Sequence, residues 1–113
     1  VEAQFTDGRQ RRDFVFVDDV AEAICRAVTA SFSGLQAINL GGGLPVPVAD
    51  VLLAVARAFG AESSFHLGAR PRRPGEPDLQ VADLTRAKTL LGWAPTVGWS
   101  EGIRRVCAAA GTV

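Results

Sequence analysis

Short strand-like runs alternate with helical stretches along this 113-residue chain, and the alternation restricts the fold more than any other feature. Residues 14–17 form a short β-branched and aromatic run, and residues 37–40 and 64–67 are two further strand candidates. Elsewhere, apolar residues recur every three to four positions, as they do on one face of a helix. We therefore expect an α/β fold with about four helices and three or so short strands.

Side chains that cap helices precede three of the four helical segments, and glycines follow three of them. Acidic and hydroxyl groups accept hydrogen bonds from the first free amides of a helix, and glycine adopts the left-handed conformation that often ends one. The predicted caps are Asp18 or Asp19, Asp83 and Ser100. The first predicted helix follows Asp18 and Asp19 and ends between Ala30 and Ser33, and the others run over residues 48–59, 84–91 and 101–110.

Neither cysteine has a partner at a spacing that suggests chemistry. Cys25 and Cys107 fall inside helical patterns without a CxxC pair, and His66 has no neighbour at metal-binding spacing. We interpret both cysteines as small buried side chains and expect no metal site.

The chain lacks the signals of membrane insertion and secretion. No apolar run approaches the roughly 18 residues that cross a bilayer. The first residues have neither the basic start nor the apolar stretch of a signal peptide. We expect a soluble, cytoplasmic protein without a membrane partner. The chain begins with valine and contains no methionine, which indicates a fragment of something longer.

Six of the eleven arginines lie in two clusters, within residues 9–14 and 70–76, and both clusters have loop composition. The guanidinium group is a planar fork that stays charged and matches the oxygens of a phosphate two at a time. Arginines that converge from distant stretches therefore suit a diphosphate. Charged loops also serve solvation alone, so composition leaves both interpretations open.

Three consecutive glycines, Gly41, Gly42 and Gly43, follow the second strand-like run, where a dinucleotide-binding turn would lie. That turn requires the pattern GxGxxG. Gly41 and Gly43 fill the first two places, but Val46 fills the third, between two prolines. We interpret the glycines as residues that permit a close backbone approach or a positive φ.

Four motif regions follow one another and cover nearly the whole chain. They are DGRQRRDFVFVDDVA at 7–21, INLGGG at 38–43, RPGE at 73–76, and ADLTRAK at 82–88 with LGWAP at 91–95. In this order they resemble the C-terminal third of the NAD-dependent epimerase/dehydratase family, the extended short-chain dehydrogenases that act on nucleotide sugars. Four motifs in the right order are far more specific than any one of them.

The resemblance implies a role for the arginines. In this family the arginines of the RDF-like and RxGD-like motifs bind the diphosphate of a nucleoside-diphosphate sugar, and Arg12 and Arg73 occupy these positions. Glu76 stands where the family has an aspartate that contacts the ribose; it is one methylene longer, which leaves that contact open. Gln10 occupies a position that often lies beside the nucleotide. Asp13 either pairs with Arg12 or ties down its own loop.

The family's Rossmann glycine motif and its Tyr-x-x-x-Lys pair belong upstream of the matched region, and this chain contains no tyrosine. The resemblance therefore implies that residues 1–113 form a single C-terminal substrate-binding lobe, with NAD bound by a missing N-terminal lobe. It also implies that the chain alone is inactive and carries no catalytic residue. In the parent, NAD⁺ would take a hydride from C4 of the sugar while the upstream tyrosine takes the hydroxyl proton. We expect that parent to be a homodimer, as relatives commonly are.

The sequence leaves several functions open. Arg12-Asp13-Phe14 followed by Asp19-Val20-Ala21 is more typical of sugar 4-epimerases, so a UDP-sugar 4-epimerase is the preferred parent. A 4,6-dehydratase, decarboxylase or reductase of the same family is the alternative. An alternative of a different functional class is a non-catalytic module that binds nucleic acid or protein. A net charge of zero argues against nucleic acid as a partner.

Overall fold

The computed structural model describes residues 2–110, which contain four α-helices. These are α1 (Val17–Thr29), α2 (Val48–Ala58), α3 (Thr85–Leu91) and α4 (Trp99–Ala109). The bounds of α2 and α3 lie within one residue of those predicted. Gly60 and Gly92 have φ values of 61° and 60°, as predicted for glycines that end these two helices. A short 3-10 helix, Glu62–Ser64, follows α2.

Five two-residue strands form two small sheets in this part of the chain. They are β1 (Ala3–Gln4), β2 (Arg11–Arg12), β3 (Val46–Pro47), β4 (Phe65–His66) and β5 (Leu79–Gln80). β1 pairs in parallel with β4, whereas β2 lies between antiparallel β3 and parallel β5. The α/β class and the strand within residues 64–67 are confirmed. The strands predicted at residues 14–17 and 37–40 are wrong. Conversely, β2 was assigned to a loop from its composition, but it is the central strand of its sheet.

Residues 14–17 show why strand propensity misled the prediction. β-branched and aromatic side chains favour a strand only where a partner backbone is available. Here the carbonyl of Phe14 instead packs so closely on Gly42 that a Cβ there would overlap its oxygen. Phe16 is the extended residue before α1, which begins at Val17.

A cluster of buried hydrophobic residues joins α1 to α3. It contains Ala23 of α1, Ala87 and Leu91 of α3, and Trp93, which is 1% exposed. Because Trp93 packs in one cluster with Ala87 and Leu91, the predicted hydrophobic contact at the end of α3 is confirmed. Separately, α2 packs against α4.

Asp19 does not cap α1, contrary to the prediction, because Phe16 holds the N-cap position. Asp19 is buried, and its carboxylate accepts hydrogen bonds from the amides of Thr96 and Val97, both at 3.0 Å, and from the Thr96 hydroxyl at 2.7 Å. Burial by itself raises the pKa of Asp19, but these hydrogen bonds outweigh it and hold the pKa below its usual value. Asp19 thereby ties α1 to the segment that leads into α4.

The other two predicted caps have different outcomes. Leu84, not Asp83, holds the N-cap position of α3; Asp83 lies one residue earlier and accepts hydrogen bonds from the amide of Thr85 at 2.9 Å and from its hydroxyl at 2.6 Å. Ser100 lies inside α4, because that helix begins one residue earlier, at Trp99.

The two cysteines differ, although both were predicted to be buried. Cys107 is buried in α4, whereas Cys25 of α1 is exposed. Ile24 and Val28 of the same helix are 57% and 81% exposed. The apolar stripe of α1 is therefore wider than the face that α3 covers, and the sequence pattern alone does not show this.

The described chain is flat. Its principal extents are 51 × 37 × 18 Å and its radius of gyration is 16.7 Å. A compact domain of about 100 residues has a radius of gyration of about 13 Å. None of the helices within residues 2–110 combines the length and the apolar character needed to cross a membrane.

Candidate functional site

A groove of about 600 Å³ lies beside β1 and α2. Phe5, Val48 and Leu52 give it apolar surface. Its longer polar side chains include Gln10, Arg70, Arg73 and Glu76. Three of the four site residues predicted from the sequence, Gln10, Arg73 and Glu76, therefore line one groove.

Backbone pairing brings the two arginine clusters together. β2, which carries the first cluster, pairs with β5, and the Arg11 amide donates to the carbonyl of Asp78 at 2.8 Å. At the other end of the second cluster, the Arg70 amide donates to the carbonyl of Phe5 at 3.0 Å. The second cluster is thus fixed at both ends beside the segment that carries the first.

Arg12, the fourth predicted residue, lies next to the groove through Glu76. Its Nη2 is 3.7 Å from Glu76 Oε1 and donates to the carbonyl of Pro77 at 2.9 Å. Its Nη1 donates to the carbonyl of Arg11, also at 2.9 Å. A guanidinium carries five N–H donors, so Arg12 keeps donors for a further acceptor. The fold therefore gathers all four predicted residues into one neighbourhood.

Glu76 is shared between two arginines. Arg72 Nε lies 3.7 Å from Glu76 Oε2, and Arg72 Nη1 lies 2.7 Å from Asp78 Oδ1. The hydrogen bond with Asp78 raises the pKa of Arg72, and the charges of Asp7 and Glu76 add to this effect. Arg72 was not predicted as a site residue, and it holds the acidic side chain that faces Arg12.

Gln10 is buried in the wall of the groove, with 8% exposure. Its Nε2 faces Thr6 Oγ1 at 3.4 Å, and its Oε1 has no hydrogen-bond partner within residues 2–110. The carbonyl of Gln10 accepts from the Val48 amide at 3.0 Å, and that of Gly8 accepts from the Ala49 amide at 2.9 Å. These bonds satisfy amides at the start of α2 and fix Gln10 there.

The glycine run packs against the chain's own atoms. A Cβ on Gly41 would overlap the carboxylate of Asp13, and one on Gly42 would overlap the carbonyl oxygen of Phe14. Gly43 has a φ of 72°. The predicted close approach and positive φ are confirmed. Because this space is filled by the protein itself, the glycine run leaves no room for a pyrophosphate.

Asp13 ties down its loop. Its Oδ2 accepts a hydrogen bond from the Ala82 amide at 3.0 Å and a long one from the Gly43 amide at 3.5 Å. Within the described chain it forms no ion pair with Arg12. Of the two roles left open by the sequence, the structure supports the one in the loop.

Sequence reasoning missed Arg70 and Arg72. Both belong to the second arginine cluster, but the RxGD-like motif singles out only Arg73, and nothing in the sequence shows which neighbour faces the groove. In the part of the chain that the structure describes, no three His, Cys, Asp or Glu side chains come together as a metal site would require.

Comparisons with known sequences identify relatives over most of the chain. A sequence model of the family described as GDP-mannose 4,6 dehydratase matches residues 2–106. The UDP-glucose 4-epimerase of Mycolicibacterium smegmatis is 41% identical over 103 residues, which cover 89% of this chain and 31% of that enzyme. The chain thus spans about a third of the length of the curated relatives that it matches.

Solved structures share the fold. The crystal structure of UDP-glucose 4-epimerase from Thermotoga maritima with UDP-glucose has a TM-score of 0.81 and 29% identity, over 95% of this chain and 34% of that chain. MoeE5 in complex with UDP-glucose and NAD has a TM-score of 0.82 and 28% identity, over 97% of this chain and 36% of that chain. The expected fold class is confirmed. Since the family match spans residues 2–106, this chain belongs to the GDP-mannose 4,6 dehydratase family, among the NAD-dependent nucleotide-sugar enzymes that its motifs resemble.

Proposed function

We propose that this chain is the substrate-binding lobe of an NAD-dependent nucleotide-sugar epimerase, with a UDP-sugar as substrate. The observation that carries the proposal is the groove that Gln10, Arg73 and Glu76 line together, with Arg12 3.7 Å from Glu76. The flat shape of the chain and its exposed apolar side chains on α1 support a role as one lobe of a larger protein.

Arg12 and Arg73 act in this proposal as a clamp on the diphosphate. Hydrogen bonds to the carbonyls of Arg11 and Pro77 position the guanidinium group of Arg12, whereas Arg73 lines the groove from the loop before β5. A clamp on the diphosphate holds the nucleotide while the sugar turns, so remote binding energy is used for positioning. Loss of one charged hydrogen-bonding partner costs about 2–3 kcal/mol, or roughly a 30- to 150-fold loss of affinity.

The proposed lobe binds and orients, and it does not move the sugar's hydroxyl proton. The chain contains no tyrosine, and its glycine run leaves no room for a pyrophosphate, so this proposal assigns the proton and hydride chemistry to another part of the protein. Purified alone, the 113-residue chain should show no epimerase turnover. Turnover by the chain alone would contradict this division of roles.

Two substitutions test the clamp in the full translated product of the gene. Arg12→Ala and Arg73→Ala should each weaken UDP-glucose binding roughly 30- to 150-fold, measured by isothermal titration calorimetry. Arg57→Ala is the matched control, because Arg57 is an exposed arginine of α2 that does not line the groove. NAD affinity should stay unchanged in all three variants. Full UDP-glucose affinity in both clamp variants would contradict the proposal.

Product analysis separates the reaction classes within the family. With UDP-glucose, an epimerase yields the 4-epimer, a 4,6-dehydratase yields a 4-keto-6-deoxy sugar, and a decarboxylase acts only on the uronate. Titration with a DNA duplex at low salt addresses the nucleic-acid alternative, for which tight and steeply salt-dependent binding is the expected sign.

A further inference from the structure

The arginines around the groove differ in what already neutralises them. Arg12 faces Glu76 and donates to two backbone carbonyls, and Arg72 pairs with Asp78 and Glu76. Arg70 and Arg73 line the groove, and within residues 2–110 neither has an ion pair or a side-chain hydrogen bond. The uncommitted positive charges of the groove are therefore those of Arg70 and Arg73.

The backbone of Arg70 is fixed at the groove. Its amide donates to the carbonyl of Phe5 at 3.0 Å, and the amide of Gly68, two residues earlier, donates to the carbonyl of Thr6 at 2.9 Å. Phe5 and Thr6 line the same groove. The side chain of Arg70 therefore starts from an anchored position, so less backbone freedom is lost when it binds a ligand.

We propose that Arg70 is an additional phosphate-binding residue, which contacts the diphosphate of the nucleotide together with Arg73. This inference rests on the proposed function of the groove. Arg12 must share its charge with Glu76, so a dianionic diphosphate gains most from the two guanidinium groups that have no carboxylate partner. The fork of arginine matches phosphate oxygens two at a time, and lysine supplies only a point charge.

The test compares UDP with uridine, which has the same nucleoside and no phosphate. In the full translated product, Arg70→Gln should weaken UDP binding roughly tenfold or more and leave uridine binding unchanged. Arg70→Lys should keep part of the UDP affinity. Arg57→Gln, outside the groove, should bind both ligands as the unsubstituted protein does. Since Arg70 is exposed, circular dichroism should show an unchanged fold.

The possible failures are distinguishable. If Arg70→Gln binds UDP normally while Arg73→Gln does not, the inference about Arg70 is overturned and the proposed function stands. If Arg70→Gln weakens uridine as much as UDP, Arg70 contacts the nucleoside and the inference is again overturned. If the unsubstituted protein does not bind UDP, the proposed function itself fails.

Discussion

Replacement of Asp19 by alanine should destabilise the fold by about 3 kcal/mol, because several donors lose a charged acceptor at once. The carboxylate accepts from two amides at 3.0 Å and one hydroxyl at 2.7 Å, and Asp19 is 3% exposed. A buried donor left without a partner costs about 1–3 kcal/mol. The exposed side of Thr96 lets water reach its hydroxyl, so we count mainly the two amides.

The assay is urea unfolding of the full translated product, followed by tryptophan fluorescence. Trp93 is a local probe, since its indole nitrogen donates to the carbonyl of Asp19 at 2.8 Å. Asp18→Ala is the matched control, because Asp18 is the exposed neighbour in the same first turn, where a charge contributes about 0.5 kcal/mol. Equal free energies of unfolding for Asp19→Ala and Asp18→Ala would refute the reasoning.

The same contacts predict a pH dependence. The folded-state pKa of Asp19 is lowered from the ordinary value of 3.8. A lowered folded-state pKa adds stability that is fully present above the unfolded-state pKa and is lost as the pH falls through the folded-state pKa. The stability difference between the unsubstituted protein and Asp19→Asn should therefore be constant at neutral pH and narrow below about pH 4. A difference independent of pH would contradict the assignment.

Two further predictions concern a glycine and an ion pair. Gly42→Ala should destabilise the protein by about 1–3 kcal/mol, because the new Cβ overlaps the Phe14 carbonyl. Gly98→Ala is the control: its Cβ meets no atom within 4 Å, and the variant should fold normally. Equal melting temperatures for the two variants would contradict this prediction. Hydrogen bonds from Arg104 and then Arg105 stabilise the carboxylate of Glu101 and lower its pKa to about 2. NMR titration of the Glu101 carboxyl group should give a midpoint near this value, and Arg104→Ala should raise the midpoint.

Sequence reasoning succeeded where local interactions decide the structure. The bounds of α2 and α3 follow from apolar period and from glycines that end helices, and both depend on residues a few positions apart. It failed for residues 14–17 and for β2, because a strand needs a partner from a distant part of the chain. It also misassigned Asp19, whose hydrogen-bonding partners are Thr96 and Val97, more than 70 positions away.

The sequence by itself determined the fold class, two of the helices nearly residue by residue, and the motifs that place Gln10, Arg12, Arg73 and Glu76 in a nucleotide-sugar family. Only the tertiary structure decided which charges remain free. Arg12 meets Glu76 across 64 positions of sequence, while Arg70 meets no carboxylate within the described chain. The strength of an ion pair depends on the distance between the charges and on their exposure to solvent, and the amino-acid sequence gives neither quantity.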